Sequence, residues 1–263
     1  MKTLVLGSEG FIGRPFCDYL RRLGEDVVGI DIKNCAAEDL RLMRLSLQDV
    51  QCVYFLAWDV GGAKYLYKDK TQQGQLDWNL KLLMNVMPQL RRTDVPFLFI
   101  SSQLAEYPNT AYGVTKRLGE VWTGLIGGAC VRLWNVYGPL EEPSERSHVV
   151  SDFVCGAVRG NVIKMMTTGE EMRQFVHIDD VCRALHVAMK REPKGVYDVT
   201  STKWVSILDV AELISRMTGA VVEVGKEKRP DLISYVPLLL PGWTANIGLS
   251  RGIAMMLEAT RNG

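Results

Sequence analysis

The chain lacks any pair of cysteines at CxxC spacing, and its six cysteines (Cys17, Cys35, Cys52, Cys130, Cys155, Cys182) are scattered through 263 residues. That excludes zinc ribbons and dithiol redox motifs and leaves the reduced thiols of a cytosolic protein; no metal site is expected. Charge of one sign is also missing. The chain has 31 basic and 30 acidic residues and a net charge of +1. Bulk electrostatic capture of nucleic acid or of an anionic membrane is therefore not expected. Long hydrophobic runs are absent too. The opening "MKTLVLGSEG" reaches a glycine too soon for a signal peptide or a membrane span, and "ISYVPLLLPGW" is broken by two prolines. Without an internal repeat, a low-complexity segment or a clear linker, the chain reads as one α/β domain, or one domain with a small cap.

What is present is a substantial apolar fraction, 47%, arranged as alternating strand-like and helix-length segments. "TLVLG", "DVVGID", "CVYFLA", "FLFISS", "ACVRLWNV" and "GVYDVT" read as buried strands. Helices are expected over 11–23, 76–91, 111–126, 149–159, 178–190 and 206–218. Near-continuous apolar strands alternating with helices predict a parallel sheet covered on both faces. The pattern loosens from about residue 139, and from 219 onward it is punctuated by proline and glycine. The expected architecture is a Rossmann-type doubly wound parallel sheet over residues 1–138, with a small C-terminal substrate-binding lobe over 139–263. Residues 178–201 are expected to return to the first unit.

The first strand runs directly into "GSEGFIG". Gly7, Gly10 and Gly13 stand between a strand and a helix, the context in which a glycine-rich loop cradles a pyrophosphate. Gly7 suits a tight turn, Gly10 leaves room for phosphate, and Gly13 allows close packing of helix on strand. Phe11 and Ile12 complete the loop, whose amides and positive helix end face the ligand. Pro15 sits in the first turn, where its missing N–H matters little. Asp31 ends the second strand. A carboxylate there accepts from ribose hydroxyls and repels a 2′-phosphate, which favours NAD; Lys33 nearby keeps NADP open.

"NTAYGVTKRLGE" places Tyr112 and Lys116 one turn apart on a helix face. A free tyrosine ionises at about 10, and lowering that to about 7 needs roughly 4 kcal/mol of differential stabilisation. The Lys116 ammonium and the positive nicotinamide ring of oxidised NAD are two cations able to supply it.

With "GSEGFIG", "SS", "YGVTK", "VRLWNVYGP" and "RQFVHIDD" in that order, the chain resembles the extended short-chain dehydrogenase/reductases, and more narrowly the NAD-dependent nucleotide-sugar epimerase/dehydratase family. The resemblance covers nearly the whole chain. It implies that Tyr112 is the catalytic base, Lys116 its partner and Ser102 the third member, with Ser101 the lesser choice. It implies that Asp39 and Leu40 touch the adenine and that Ala57 lines the cofactor. Asn135, Arg173, and Lys228 or Arg229 are implied to hold the nucleotide diphosphate. His148 is a candidate substrate-binding or acid/base residue, His177 is expected to be structural, and His186 to lie on a helix surface.

The chain is shorter than typical members of that family, between Tyr107 and Tyr112 and again before "CVYFLA". Relatives that dehydrate the sugar carry acidic residues after the catalytic Ser or Thr, where this chain has Gln103 and Leu104. Glu106 reaches the site only if a bulge re-aims it. The leading expectation is an NAD-dependent epimerase of a nucleotide-diphosphate sugar acting through a transient keto-sugar. A dehydratase, decarboxylase or keto-sugar reductase of the same family is the alternative, and a non-catalytic NAD-binding regulator is the third. A homodimer is expected from surplus apolar residues. These are Leu80, Leu82, Leu83, Val86 and Met87 in one helix, and Val114, Leu118, Val121, Trp122 and Leu125 in the other.

Overall fold

The structure, a computed structural model, describes residues 1–138, 140–192, 194–228 and 235–262. The first half runs β1 (Lys2–Leu6), α1 (Gly13–Arg22), β2 (Asp26–Ile30), β3 (Cys52–Phe55), α2 (Ala63–Leu66), α3 (Asp69–Arg91), β4 (Phe97–Ser102), α4 (Ala111–Leu125) and β5 (Ala129–Leu133). The second half runs β6 (Asn135–Tyr137), α5 (Val149–Gly160), β7 (Val162–Lys164), β8 (Met172–His177), α6 (Ile178–Arg191), β9 (Val196–Val199), β10 (Trp204–Ser206), α7 (Ile207–Thr218), β11 (Val221–Glu223) and α8 (Leu249–Asn262).

Six strands form one parallel sheet in the order β2-β1-β3-β4-β5-β9. Apolar side chains alternate to both faces, and helices cover both. On one face Phe16, Cys17 and Leu20 of α1 meet Val181, Cys182 and Leu185 of α6 over Val5, Tyr54, Leu98 and Val131. On the other, Leu82, Leu83, Val86, Met87 and Leu90 of α3 pack over Leu4, Leu6, Phe55 and Phe99. The strand order reverses at β1, so the crevice between the C-terminal ends of β1 and β3 is the place where such sheets bind ligands.

The segment between β2 and β3 holds only a short 3-10 turn, Ala36–Glu38, and β2 is left at the sheet edge. The stretch "ACVRLWNV", expected as one strand, is two. It breaks at Trp134, whose indole N–H donates to Asp198 at 2.7 Å. Before the break β5 lies in the large sheet; after it β6 pairs with β8, in a small sheet completed by β10. The chain re-enters the large sheet through α6 and β9. α5, α7 and α8 build a separate apolar cluster, with Phe153 and Val154 of α5, Val210 and Ile214 of α7, and Ile253 and Met256 of α8.

α3 begins at Asp69, two turns earlier than the expected 76. Those turns are held by side chains bonding to backbone: Thr71 donates to the Tyr65 carbonyl at 2.9 Å, and Gln72 donates to the Leu66 carbonyl at 2.6 Å while accepting from the Ala111 amide at 2.8 Å. Such residues leave no apolar period to read. α8 was not expected at all, because Pro241, Gly242 and Gly248 precede it closely. No helix among the described residues is long and apolar enough to cross a membrane.

Candidate active site

A cleft of about 640 Å³ opens above the C-terminal ends of β1, β3 and β4, between the large sheet and the second half of the chain. Its floor is the glycine loop. Gly7 has φ +91°, and a Cβ there would lie 2.5 Å from the Ala57 amide nitrogen. A Cβ on Gly13 would lie 1.9 Å from the Gly7 carbonyl oxygen, so helix and turn touch through it. Gly10 is different: its Cβ would meet only the Gly7 oxygen at 3.3 Å, and it faces the cleft. Among the described residues, the amides of Phe11, Ile12 and Gly13 donate to no backbone carbonyl and stand free at the start of α1. This is a cradle shaped for phosphate.

Asp31 is buried at the end of this cradle. Its carboxylate accepts from the amides of Glu9 (3.0 Å) and Lys33 (2.9 Å), which leaves lone pairs free for a ribose. Glu38, which the sequence reading did not single out, accepts from the Asp31 amide at 2.8 Å and also lines the cleft. Two carboxylates disfavour a 2′-phosphate there. Lys33 also lines this end, its ammonium donating to the Glu9 carbonyl at 3.0 Å. Asp39, Leu40 and Ala57 line the same end. The donor set fits NAD.

At the other end β4 delivers two serines with opposite outlooks, as the two-residue period of a strand requires. Ser101 donates to the buried Glu120 carboxylate at 2.6 Å, and Glu120 also holds Arg132 through two bonds of 2.7 and 2.8 Å. Ser102 instead turns toward the cleft, where its hydroxyl accepts from the Leu104 amide at 3.3 Å and neighbours Tyr112, which α4 presents from its first turn. Lys116, one turn on, is buried and donates to the Ile100 carbonyl at 2.6 Å. Ser102, Tyr112 and Lys116 all line the cleft.

Burial pushes Tyr112 up to about 12, against the pull of the neighbouring Ser102 hydroxyl, with Tyr67 adding to the rise. Burial likewise drives Lys116 down to about 7, with Cys130 and Glu120 opposing. The expectation that the Lys116 ammonium lowers Tyr112 therefore does not hold in the protein by itself. Both groups are pushed toward their neutral forms, because desolvation outweighs what Ser102 does for Tyr112 and what Cys130 and Glu120 do for Lys116.

The second half supplies the far wall. His148 caps α5 and stacks on Phe11, ring centroids 4.5 Å apart. Its Nδ1 lies 2.7 Å from the carboxylate of Glu141, a partner that the sequence did not suggest. The "WDVGGA" stretch makes this placement possible. A Cβ on Gly62 would lie 2.1 Å from the Ser147 carbonyl oxygen, so only glycine lets residues 146–148 come so close. Arg146 bonds Asp59 at 2.6 Å and Tyr65 at 2.7 Å, and Lys64 bonds Asp152 at 2.7 Å, which fastens the two sides together.

Asn135 and Arg173 line the cleft; Asn135 donates to the Gln174 carbonyl at 3.1 Å, and Arg173 to that of Met172 at 2.7 Å. Lys228 does not line it. It is exposed and paired with Glu170 at 3.3 Å, a surface contact that needs no ligand. Arg229 lies outside the described residues. Glu106 is turned away, bonded to Arg132 at 2.6 Å. His177 caps α6 by accepting from the Asp179 amide at 3.2 Å. His186 is not on the surface as expected. It packs edge-on against Tyr19, with Glu25 3.7 Å away, because α1 covers that side of α6.

The sequence profile of the NAD dependent epimerase/dehydratase family matches residues 3–200. The chain belongs to this family. NAD, the cofactor expected from Asp31, is the one in the family's description. Among curated relatives of this epimerase/dehydratase chain, a putative UDP-glucose 4-epimerase of Methanocaldococcus jannaschii is 23% identical over 305 aligned positions, covering 98% of each chain. That span exceeds the 263 residues here, so the alignment crosses gaps on this side. UDP-glucuronic acid decarboxylase 4 of Arabidopsis thaliana is 22% identical over 99% of this chain and 69% of its own. Among solved structures, the UDP-glucose 4-epimerase of Thermotoga maritima with UDP-glucose matches with a TM-score of 0.83 at 22% identity, covering 100% of this chain and 99% of that one. TunA, an NAD-dependent NDP-hexosamine 5,6-dehydratase, matches with a TM-score of 0.79 at the same identity, covering 100% and 98%. These structures establish the shared doubly wound fold.

Proposed function

We propose that this family member is a nucleotide-sugar epimerase that oxidises one sugar hydroxyl to a transient ketone and reduces it again from the other face. The observation that carries the reading is the convergence of Ser102, Tyr112 and Lys116 on one cleft, followed by no acid. Gln103 and Leu104 line the cleft next, and Glu106 is engaged by Arg132. Elimination of water needs an acid and a base beside the reacting carbons, and this stretch supplies neither.

Ser102 orients the reacting hydroxyl, and Tyr112 takes its proton. NAD held in the glycine cradle would supply the acceptor for the hydride of the same carbon and its source on return. Tyr112 gives the proton back to the oxygen as the ketone is reduced, so protons and hydride balance over one turn. The positive charge of the oxidised cofactor would oppose the burial that holds the phenol neutral. Residues 1–138 carry the cofactor and its chemistry. Asn135, His148 and Arg173 hold the diphosphate and sugar from the far side. UDP-sugars are the first substrates to test, since relatives named for UDP-glucose and UDP-glucuronic acid run along nearly the whole chain.

A second reading rests on the His148–Glu141 contact of 2.7 Å. A carboxylate fixing one imidazole nitrogen leaves the other to move a proton on a carbon beside the ketone. It requires the same oxidation first, with Tyr112 taking the proton and NAD supplying the hydride acceptor.

The test is product analysis with a panel of UDP-, GDP- and dTDP-sugars, for the wild type and for Tyr112→Phe. The epimer is the expected product. Tyr112→Phe is expected to retain NAD and to lose at least about 100-fold in turnover, the lower end for a general acid–base group. A stable 4-keto-6-deoxy sugar or released carbon dioxide overturns the epimerase reading, and an unimpaired Tyr112→Phe overturns the mechanism.

A further inference from the structure

Lys116 is a buried cation without a carboxylate. Among the described residues no acid lies within ion-pair distance of it. Glu120, one turn along α4, is occupied by Ser101, Arg132 and Arg117. The other titratable groups around it are Cys130 on β5, and Tyr112 on α4 with Tyr67 beyond it. Burial holds Cys130 and Tyr112 in their neutral forms. Apart from the Ile100 carbonyl, to which it donates at 2.6 Å, what faces the ammonium is aromatic. Its nitrogen lies 3.9 Å from the centroid of the Trp58 ring, 5.0 Å from that of Phe99 and 5.7 Å from that of Tyr112.

We propose that Trp58 is a positioning residue that carries the Lys116 ammonium on its indole face, in the place where a buried lysine ordinarily needs an anion. This rests on the role of Lys116 given above. Three features support it. The negative face of an indole is the strongest aromatic partner for a cation, and most so where water is excluded. The ring is clamped edge-on by Phe55 (6.1 Å, 61°) and Phe99 (5.5 Å, 65°), so the face stays directed at Lys116. The indole N–H is buried and has no hydrogen-bond partner among the described residues. A buried tryptophan normally satisfies that group, so an aliphatic side chain would fill the space with less loss. The ring face is the property that an aliphatic residue lacks.

The sign of one measurement separates this from simple packing. Burial drives Lys116 down to about 7. If the indole face holds the ammonium, replacing it by an aliphatic residue removes a stabiliser of the charged form, and the titration moves lower still. If the ring only fills space, its loss admits water, and the titration moves back up toward that of a free lysine. The experiment follows the ¹³Cε chemical shift of Lys116 against pH in the full chain without ligands, the signal being assigned by its absence in Lys116→Met. Trp58→Leu is expected to move the midpoint down by about one pH unit, a tenfold change in the ionisation constant. Trp58→Phe, which keeps a smaller face and the apolar volume, is expected to fall between. Near-ultraviolet circular dichroism confirms that each variant is folded. An upward shift, or no shift, in both variants overturns the proposal. The measurement needs no substrate. A downward shift in a protein that turns over no nucleotide sugar upholds the role of Trp58 and refutes the epimerase reading alone.

Discussion

The ring of Phe11 lies flat on that of His148, with centroids 4.5 Å apart and planes 22° apart. One belongs to the glycine loop and the other to the start of α5, so the cofactor cradle and the far wall of the cleft are joined at this contact. His148 is further tied by its backbone amide to Glu141 at 2.9 Å. These contacts suit a residue that shapes the sugar site. His148→Asn is expected to raise KM while lowering kcat by less than about 10-fold, short of the loss expected for a general acid–base group. Steady-state kinetics on the best nucleotide sugar decide it, and a drop in kcat beyond about 100-fold with KM unchanged would favour the second reading.

Gly10 and Gly13 are expected to respond differently to the same substitution. Gly13→Ala puts a methyl 1.9 Å from the Gly7 oxygen, so it must distort the turn and lower the melting temperature. Gly10→Ala meets its nearest atom at 3.3 Å and is expected to fold normally. Its methyl projects into the space for the pyrophosphate, so NAD affinity should fall. Thermal melts with and without NAD read both effects.

Lys116→Met is expected to stabilise the protein while abolishing turnover. Lys116 is depressed to about 7 in the folded chain from an unfolded value of 10.5. Between those values the unfolded state binds more protons, so wild-type stability rises with pH across that window and is fully present only above 10.5. Methionine removes this dependence. The gain should be absent above pH 10.5, grow as pH falls, and level off below 7. At pH 7 a rise of about 5 °C or more is expected, since one kcal/mol is worth about 2–4 °C in a chain of this size. Melting curves at several pH values check the trend, and a variant that is less stable at pH 7 would contradict it.

We propose that the chain pairs with a second copy through α4. Val114, Leu118, Val121 and Leu125 are exposed there, Leu125 by 80%, and Met84 on α3 by 67%. The expectation from sequence is revised in part. Leu82, Leu83, Val86 and Met87 of α3 are all buried against the sheet and contribute nothing to a surface. Val121→Glu combined with Leu125→Glu is expected to give a folded monomer by light scattering, where the wild type gives a dimer at micromolar concentration. A monomeric wild type would contradict the pairing.

Much of the site was legible because its rules are local. A turn at φ +91° requires glycine at position 7, and a helix brings residues 112 and 116 together whatever surrounds it. The preference for Ser102 over Ser101 came from the family resemblance, while alternating strands and helices predicted the parallel sheet. The break at Trp134 was not legible, because both sides are equally apolar and only the pairing of β6 with β8 distinguishes them.

What the sequence by itself determined is the glycine loop between strand and helix and the layered fold, which follow from backbone conformation and short periodicities; the grouping of Ser102, Tyr112 and Lys116 came from the family resemblance. The tertiary structure alone decided what each polar group faces: Lys116 on the Trp58 ring, Glu106 on Arg132, His148 between Phe11 and Glu141, and Lys228 at the surface. Tyr112 and Lys116 were read as an ion-assisted pair, yet the fold buries both so fully that each is driven toward neutrality. Spacing along a helix fixes which side chains meet. Desolvation depends on everything packed around them, and that is settled only when distant segments of the chain close over the cleft.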